Sequence, residues 1–101
     1  MRLVAIFEDD PEAADVRRQH SAAHFDYLTR NAGKIRLAGG LHRETDDGFV
    51  GGMWILDVDS RQEAVRLCEE DPYFVNGLRK DYRLLRWGRA PSYGEAGSVA
   101  L

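Results

Sequence analysis

Along the chain the spacing of apolar residues switches between two and about 3.6, and each switch marks an element. Residues 2–8, RLVAIFE, are apolar on both alternating sets, Leu3, Ala5 and Phe7 against Val4 and Ile6, which predicts a strand covered on two faces. Asp10 then Pro11 supply an N-cap and a first helical residue, and the helix they open runs to about Asn31. Its apolar stripe is Ala13, Val16, Ala23, Tyr27 and Leu28, with His20 and His24 in or beside it, and Gly33 is placed as the residue after its C-cap. Residues 34–41, KIRLAGGL, alternate, with Ile35, Leu37 and Leu41 on one face and Lys34 and Arg36 on the other. After the turn ETDDG, residues 49–58 form another strand apolar on both faces, Met53 and Ile55 against Trp54, Leu56 and Val58. Asp59 or Ser60 caps a second helix that reaches about Glu70 with Ala64, Leu67 and Cys68 inward, and residues 80–88 make a last strand.

The order βαββαβ describes a ferredoxin-like α+β fold, an antiparallel sheet with both helices on one face. In that topology the first and third strands are central, in agreement with their being the two that are apolar on both sides. One face packs on the helices. The other has no layer left to cover it in so short a chain, which predicts a homodimer formed sheet against sheet. The domain is expected over residues 1–88. Residues 89–101, from Arg89 through APSYGEAGSVAL, lose all periodicity and read as a C-terminal tail.

Charge narrows the partners. A formal net charge of −3 over 101 residues argues against nucleic acid, which needs a positive surface. The basic residues Arg79, Lys80, Arg83, Arg86 and Arg89 are interleaved with Asp81 and apolar positions and read as a solvated strand face. No apolar run approaches membrane-spanning length, no leader is expected in MRLVAIFEDD, and the single cysteine, Cys68, fits a reducing compartment, so the expected location is cytoplasmic. Cys68 falls in the apolar stripe of the second helix and reads as core rather than nucleophile.

Most candidate chemistry is equivocal when each residue is taken alone. The stretch EEDPYFVNGL, residues 69–78, puts Asp71 directly before Pro72, a corner at which one helix stops and a short second one starts with Asp71 as its N-cap. His20 and His24 share a helix face at the spacing of two-histidine metal sites, but no third ligand is evident and no metal is expected. Gly39–Gly40 and Gly51–Gly52 read as turns or bulges before anion sites. Tyr27, Trp54, Tyr73 and Phe74 are candidate walls of an aromatic pocket, although core packing accounts for each one singly.

As an ordered set, these residues resemble the YCII-related family of the dimeric α+β barrel superfamily. The marks are His24 followed by Leu28, then Gly33, Ala38–Gly39, Gly51, Ser60–Glu63–Ala64 and Asp71–Pro72–Tyr73. The resemblance covers about residues 2 to 88, and Gly40 stands where the family usually has proline. The resemblance implies an active site built on a histidine–aspartate pair, His24 and Asp71; beside it, Tyr27, Trp54 and Tyr73 are the candidate residues for binding a small organic molecule. One group similar to the family removes halide from chlorinated hydroxyquinones. A carboxylate bonded to one ring nitrogen fixes the tautomer and makes the other nitrogen a better base, which suits eliminations and isomerisations without a cofactor. The expectation is therefore a small cofactor-independent lyase or isomerase; the alternative is a non-catalytic dimeric module that binds a metabolite or serves as an accessory subunit.

Overall fold

A computed structural model describes residues 1–88, and the expected tail lies outside the described residues. The elements run β1 (Arg2–Asp9), a 3₁₀ turn (Pro11–Ala13), α1 (Ala14–Arg30), β2 (Ile35–His42), β3 (Phe49–Asp57), α2 (Arg61–Glu70), α3 (Pro72–Val75) and β4 (Arg79–Arg86). The sheet has the order β2-β3-β1-β4 and is antiparallel at every pairing. This is the ferredoxin-like arrangement, with β1 and β3 central and the helices on one face.

Local chemistry accounts for the helix ends. Asp10 caps as expected, accepting from the Glu12 amide at 2.9 Å, but the turn it opens is 3₁₀ and the α-helix begins at Ala14. Ser60 Oγ accepts from Glu63 N at 3.1 Å while Glu63 Oε1 accepts from Asp59 N at 3.1 Å, a reciprocal cap that fixes the start of α2. The role given to Gly33 is not borne out. Among the described residues the only glycine at positive φ is Gly77, at 85°, and α1 is closed instead by Asn31. The Asn31 backbone N–H and side-chain amide both donate to Tyr27 O, at 3.1 and 2.8 Å. The stripe on α1 is also narrower than its spacing suggested. His24 and Tyr27 are buried, whereas Ala23 faces solvent.

Leu3, Ala5 and Phe7 of β1 meet Trp54 and Leu56 of β3 on the helix side, and Tyr27, Ala64, Leu67 and Cys68 close over them. Phe7 and Trp54 make an edge contact with ring centres 4.7 Å apart. Each large side chain fully buried here contributes about 1.5–3 kcal/mol.

Two one-residue bulges redirect the edge strands. In β2 the pairing passes from Ile35↔Leu56 to Leu37↔Ile55, so Arg36 is an extra residue and the alternation reverses after it. Ile35 faces the helices but Leu37 and Leu41 face the other way, which corrects the expectation that all three share a face. In β4 the pairing passes from Glu8↔Asp81 to Asp9↔Arg79, and Lys80 is the extra residue. The face turned from the helices carries Val4, Ile6, Met53, Ile55, Leu37 and Leu85, the last two 47% and 45% exposed.

Candidate active site

Between α1 and the β2–β3 end of the sheet lies a cavity of about 640 Å³. The sheet leaves this space because its helix-side row lacks side chains there. Phe7 pairs with Gly52, and Gly52 pairs with Gly40. Neither glycine pair is a turn; all four residues lie within strands. A Cβ on Gly51 would overlap the Phe7 carbonyl, and one on Gly40 would press on the Phe49 ring.

His24, on the third turn of α1, reaches this cavity, and its Nδ1 lies 2.7 Å from Asp71 Oδ1. A carboxylate can only accept, so Nδ1 carries the proton and donates it, leaving Nε2 as the basic nitrogen. Nε2 has no protein partner among the described residues. Asp71 is fully buried and His24 is 6% exposed. The Asp71–Pro72 corner expected from sequence is what brings the carboxylate here. Asp71 is extended (φ −60°, ψ 131°), caps α3 by accepting from Tyr73 N at 3.1 Å, and uses the same Oδ1 for both bonds. Asp71 Oδ2 is buried without a partner.

Tyr73 stacks flat on His24, ring centres 3.8 Å apart and planes 12° from parallel, and so restricts rotation of the imidazole. Burial pushes the Tyr73 phenol up, and its hydroxyl donates to Arg17 O at 3.2 Å. Trp54 lines the cavity with Tyr73, as does His42. Tyr27 does not. It points into the core, donates from its hydroxyl to Leu67 O at 2.7 Å, and has its phenol raised to about 12, chiefly by burial. Phe74 packs on Tyr82 away from the cavity, and His20 is not part of its wall. Cys68 is enclosed in the core, where burial pushes its thiol up to about 12. Among the described residues no group of three or more His, Cys, Asp or Glu could hold a metal ion.

The sequence reading missed the cationic side of the cavity. Arg79, assigned to a solvated strand face, is 8% exposed and donates from Nη1 to Asp9 Oδ1 at 2.8 Å. Burial pushes its guanidinium down while Asp9 pulls it up. Arg17 Nη2 donates to the other Asp9 oxygen at 2.6 Å, and its guanidinium lies 3.8 Å from the centre of the Phe49 ring. Strand alternation from Leu84 and Tyr82 would turn Lys80 inward; the bulge turns Arg79 inward instead and leaves Lys80 in solvent. Asp9 at the end of an apolar strand was the available signal, since an inward carboxylate there requires a cation.

A four-stranded antiparallel sheet with its helices on one face and a histidine-bearing cavity between the layers defines a ferredoxin-like α+β protein. Two similar solved structures share that fold at low identity: an antibiotic biosynthesis monooxygenase (16% identity, TM-score 0.51, covering 89% of this chain and 98% of the other) and the protein Atu4242 from Agrobacterium tumefaciens (12%, 0.51, 89% and 93%). The chain belongs to the YCII-related family, whose domain matches residues 1–88. It is also similar, at 28% identity and TM-score 0.80, to the 5-chloro-2-hydroxyhydroquinone dehydrochlorinase of Burkholderia phenoliruptrix AC1100, solved in complex with 2,5-dihydroxybenzoquinone. That match covers 91% of this chain and 98% of the dehydrochlorinase. No curated protein sequence matches the chain.

Proposed function

We propose that the protein is a small enzyme that uses His24 as general base and acid, oriented by Asp71, to move a proton in an elimination or isomerisation of a hydroxylated ring. The observation that carries this reading is the 2.7 Å contact of His24 Nδ1 with a fully buried carboxylate, while Nε2 is left free of protein partners beside a cavity with room for an aromatic ring. In an elimination Nε2 takes the proton from the position next to the leaving group, which departs with its bonding electron pair, and then releases that proton to solvent; in an isomerisation it returns the proton to another position of the ring. Asp71 holds the tautomer and favours the imidazolium formed in between. Tyr73 and Trp54 supply aromatic walls for a planar substrate. The dehydrochlorinase, similar over almost its whole length, supports this substrate class.

The same reading takes the working form to be a cytoplasmic homodimer, in which a second copy covers the apolar face of the sheet. Among the described residues no helix is long and apolar enough to cross a membrane. Chloride release from 5-chloro-2-hydroxyhydroquinone tests the chemistry. The wild type should release chloride above the buffer rate, and His24→Gln should lose about 10²-fold or more of that rate. A wild type no faster than buffer, or a His24→Gln variant as fast as wild type, would refute it.

A further inference from the structure

The cavity presents basic side chains to its contents and keeps its carboxylates behind them. Arg17, Arg18, His24, His42 and Arg79 line it, and no aspartate or glutamate does. Arg18 is paired with Asp15 at the surface, but Arg17 and Arg79 share the single carboxylate of Asp9. Both guanidiniums hydrogen-bond to that one carboxylate, and the buried Asp71, held by His24, acts on Arg79 only through space. Arg79 is also short of acceptors. Its side chain is 2% exposed, Nη1 is satisfied by Asp9, Nε is buried without a partner, and Nη2 has none among the described residues. A buried donor without an acceptor is costly unless a ligand supplies one.

The guanidinium is held rigidly in this state. Its carbon lies 4.5 Å from the centre of the Phe7 ring and 5.3 Å from that of Tyr73, and it occupies the space that a side chain on Gly52 would take. A Cβ there would sit 3.1 Å from Nη2 and 3.3 Å from Nη1. The strand glycine, the bulge at Lys80 and the pairing with Asp9 thus cooperate to aim a fixed planar cation at the cavity. Arg17, Arg79 and His24 all approach the Tyr73 ring, so one ligand lying near that ring can reach the cationic and the basic groups together.

We propose that Arg79 and Arg17 form an oxyanion subsite that selects small planar organic anions, either ionised hydroxyquinones or ring carboxylates, over their neutral analogues. This assignment deepens the function proposed for the same cavity and rests on it for the ring-shaped ligand, but it is a statement about binding and is tested apart from turnover. Titration calorimetry with 2,5-dihydroxybenzoquinone, an acidic hydroxyquinone ionised at neutral pH, and with neutral hydroquinone separates the two. Wild type should bind the anion at least about tenfold more tightly, because charge-assisted hydrogen bonds are about twice as strong as neutral ones. Arg17→Gln, which leaves the Arg79–Asp9 pair intact, should erase most of that preference, as should Arg79→Lys if circular dichroism shows it folded. His24→Gln should keep the preference. Equal affinity for the two probes in wild type, no binding of either, or full preference in a folded Arg17→Gln protein would overturn the subsite. A wild type that prefers the anion yet turns nothing over would uphold it and count against the proton-transfer reading alone.

Discussion

Removing His24 should cost the fold more than removing the charge from Asp71, and the difference can be worked from the contacts. Asp71 Oδ1 receives two donors, His24 Nδ1 at 2.7 Å and Tyr73 N at 3.1 Å, while Oδ2 receives none and the residue is wholly buried. His24→Ala deletes the shorter bond and leaves a buried carboxylate with one donor. Deleting one partner of a buried pair costs about 3–5 kcal/mol, and water entering from the adjoining cavity should bring this to about 2–4 kcal/mol. Asp71→Asn keeps an oxygen for both donors and an N-cap of equal quality. Its cost is an amide group placed where Oδ2 has no partner, about 1–2 kcal/mol. In the double variant the alanine no longer strands a charge, so its cost should fall short of the sum of the single changes by about 1–2 kcal/mol. Urea unfolding at neutral pH and one fixed protein concentration measures all four species, the fixed concentration guarding against any contribution from association. Additivity within about 0.5 kcal/mol, or an Asp71→Asn variant weaker than His24→Ala, would refute the view that the pair is a donor satisfying a buried charge.

Other expectations concern the rest of the molecule. Cys68 and Tyr27 hold their protons to about 12 in the folded chain, against ordinary values of 9.0 and 10.0. The unfolded chain gives those protons up first, so stability should be intact below about pH 9 and fall as pH rises toward 12, and Cys68→Ala should shallow the fall measured by unfolding midpoints. Gly51→Ala should prevent folding or cost more than about 3 kcal/mol, because its methyl group meets the Phe7 backbone, which cannot yield. Gly52→Ala meets the Arg79 guanidinium and the Gly39 carbonyl at 3.1–3.3 Å, a milder approach than at Gly51, so it should fold at a cost of about 1–3 kcal/mol by denaturant titration and lose affinity for anions. Leu37→Glu, at a position 47% exposed in the single chain, should leave far-ultraviolet dichroism unchanged and shift sedimentation from dimer to monomer; an unchanged dimer would place the interface elsewhere.

How far the sequence carried these conclusions depended on whether the signal was local. Helix and strand order, a cap at Asp59 or Ser60 and the Asp71–Pro72 corner follow from residues adjacent in the chain, and the structure shows the order and the corner and makes Ser60 the cap. The approach of His24 to Asp71 spans 47 positions and came only from the resemblance to a family. What stayed hidden was whatever a bulge controls. Periodicity assumes unbroken alternation, so Arg79 was assigned to solvent and Leu37 to the side of Ile35, and both assignments fail at an extra residue that no apolar pattern announces. Tyr27 failed for another reason. A tyrosine one turn from a site histidine on the same helix fits a core as well as a pocket, and only the Leu67 carbonyl that receives its hydroxyl decides between them.

The extra residue at Arg36 sets the reading frame of an entire sheet edge. With it, Ala38 and Gly40 look toward the helices and the leucines at 37 and 41 look away. Pairing Arg36 as an ordinary strand residue would exchange the two sets, pushing leucine side chains into the space beside Trp54 and stripping the opposite face of apolar cover, whereas deleting it would keep Ile35 opposite Leu56 and Leu37 opposite Ile55. The empty volume on one side and the outward leucines on the other thus depend on one backbone irregularity. Any change that straightens the strand at this point should alter the cavity and the apolar face behind it together.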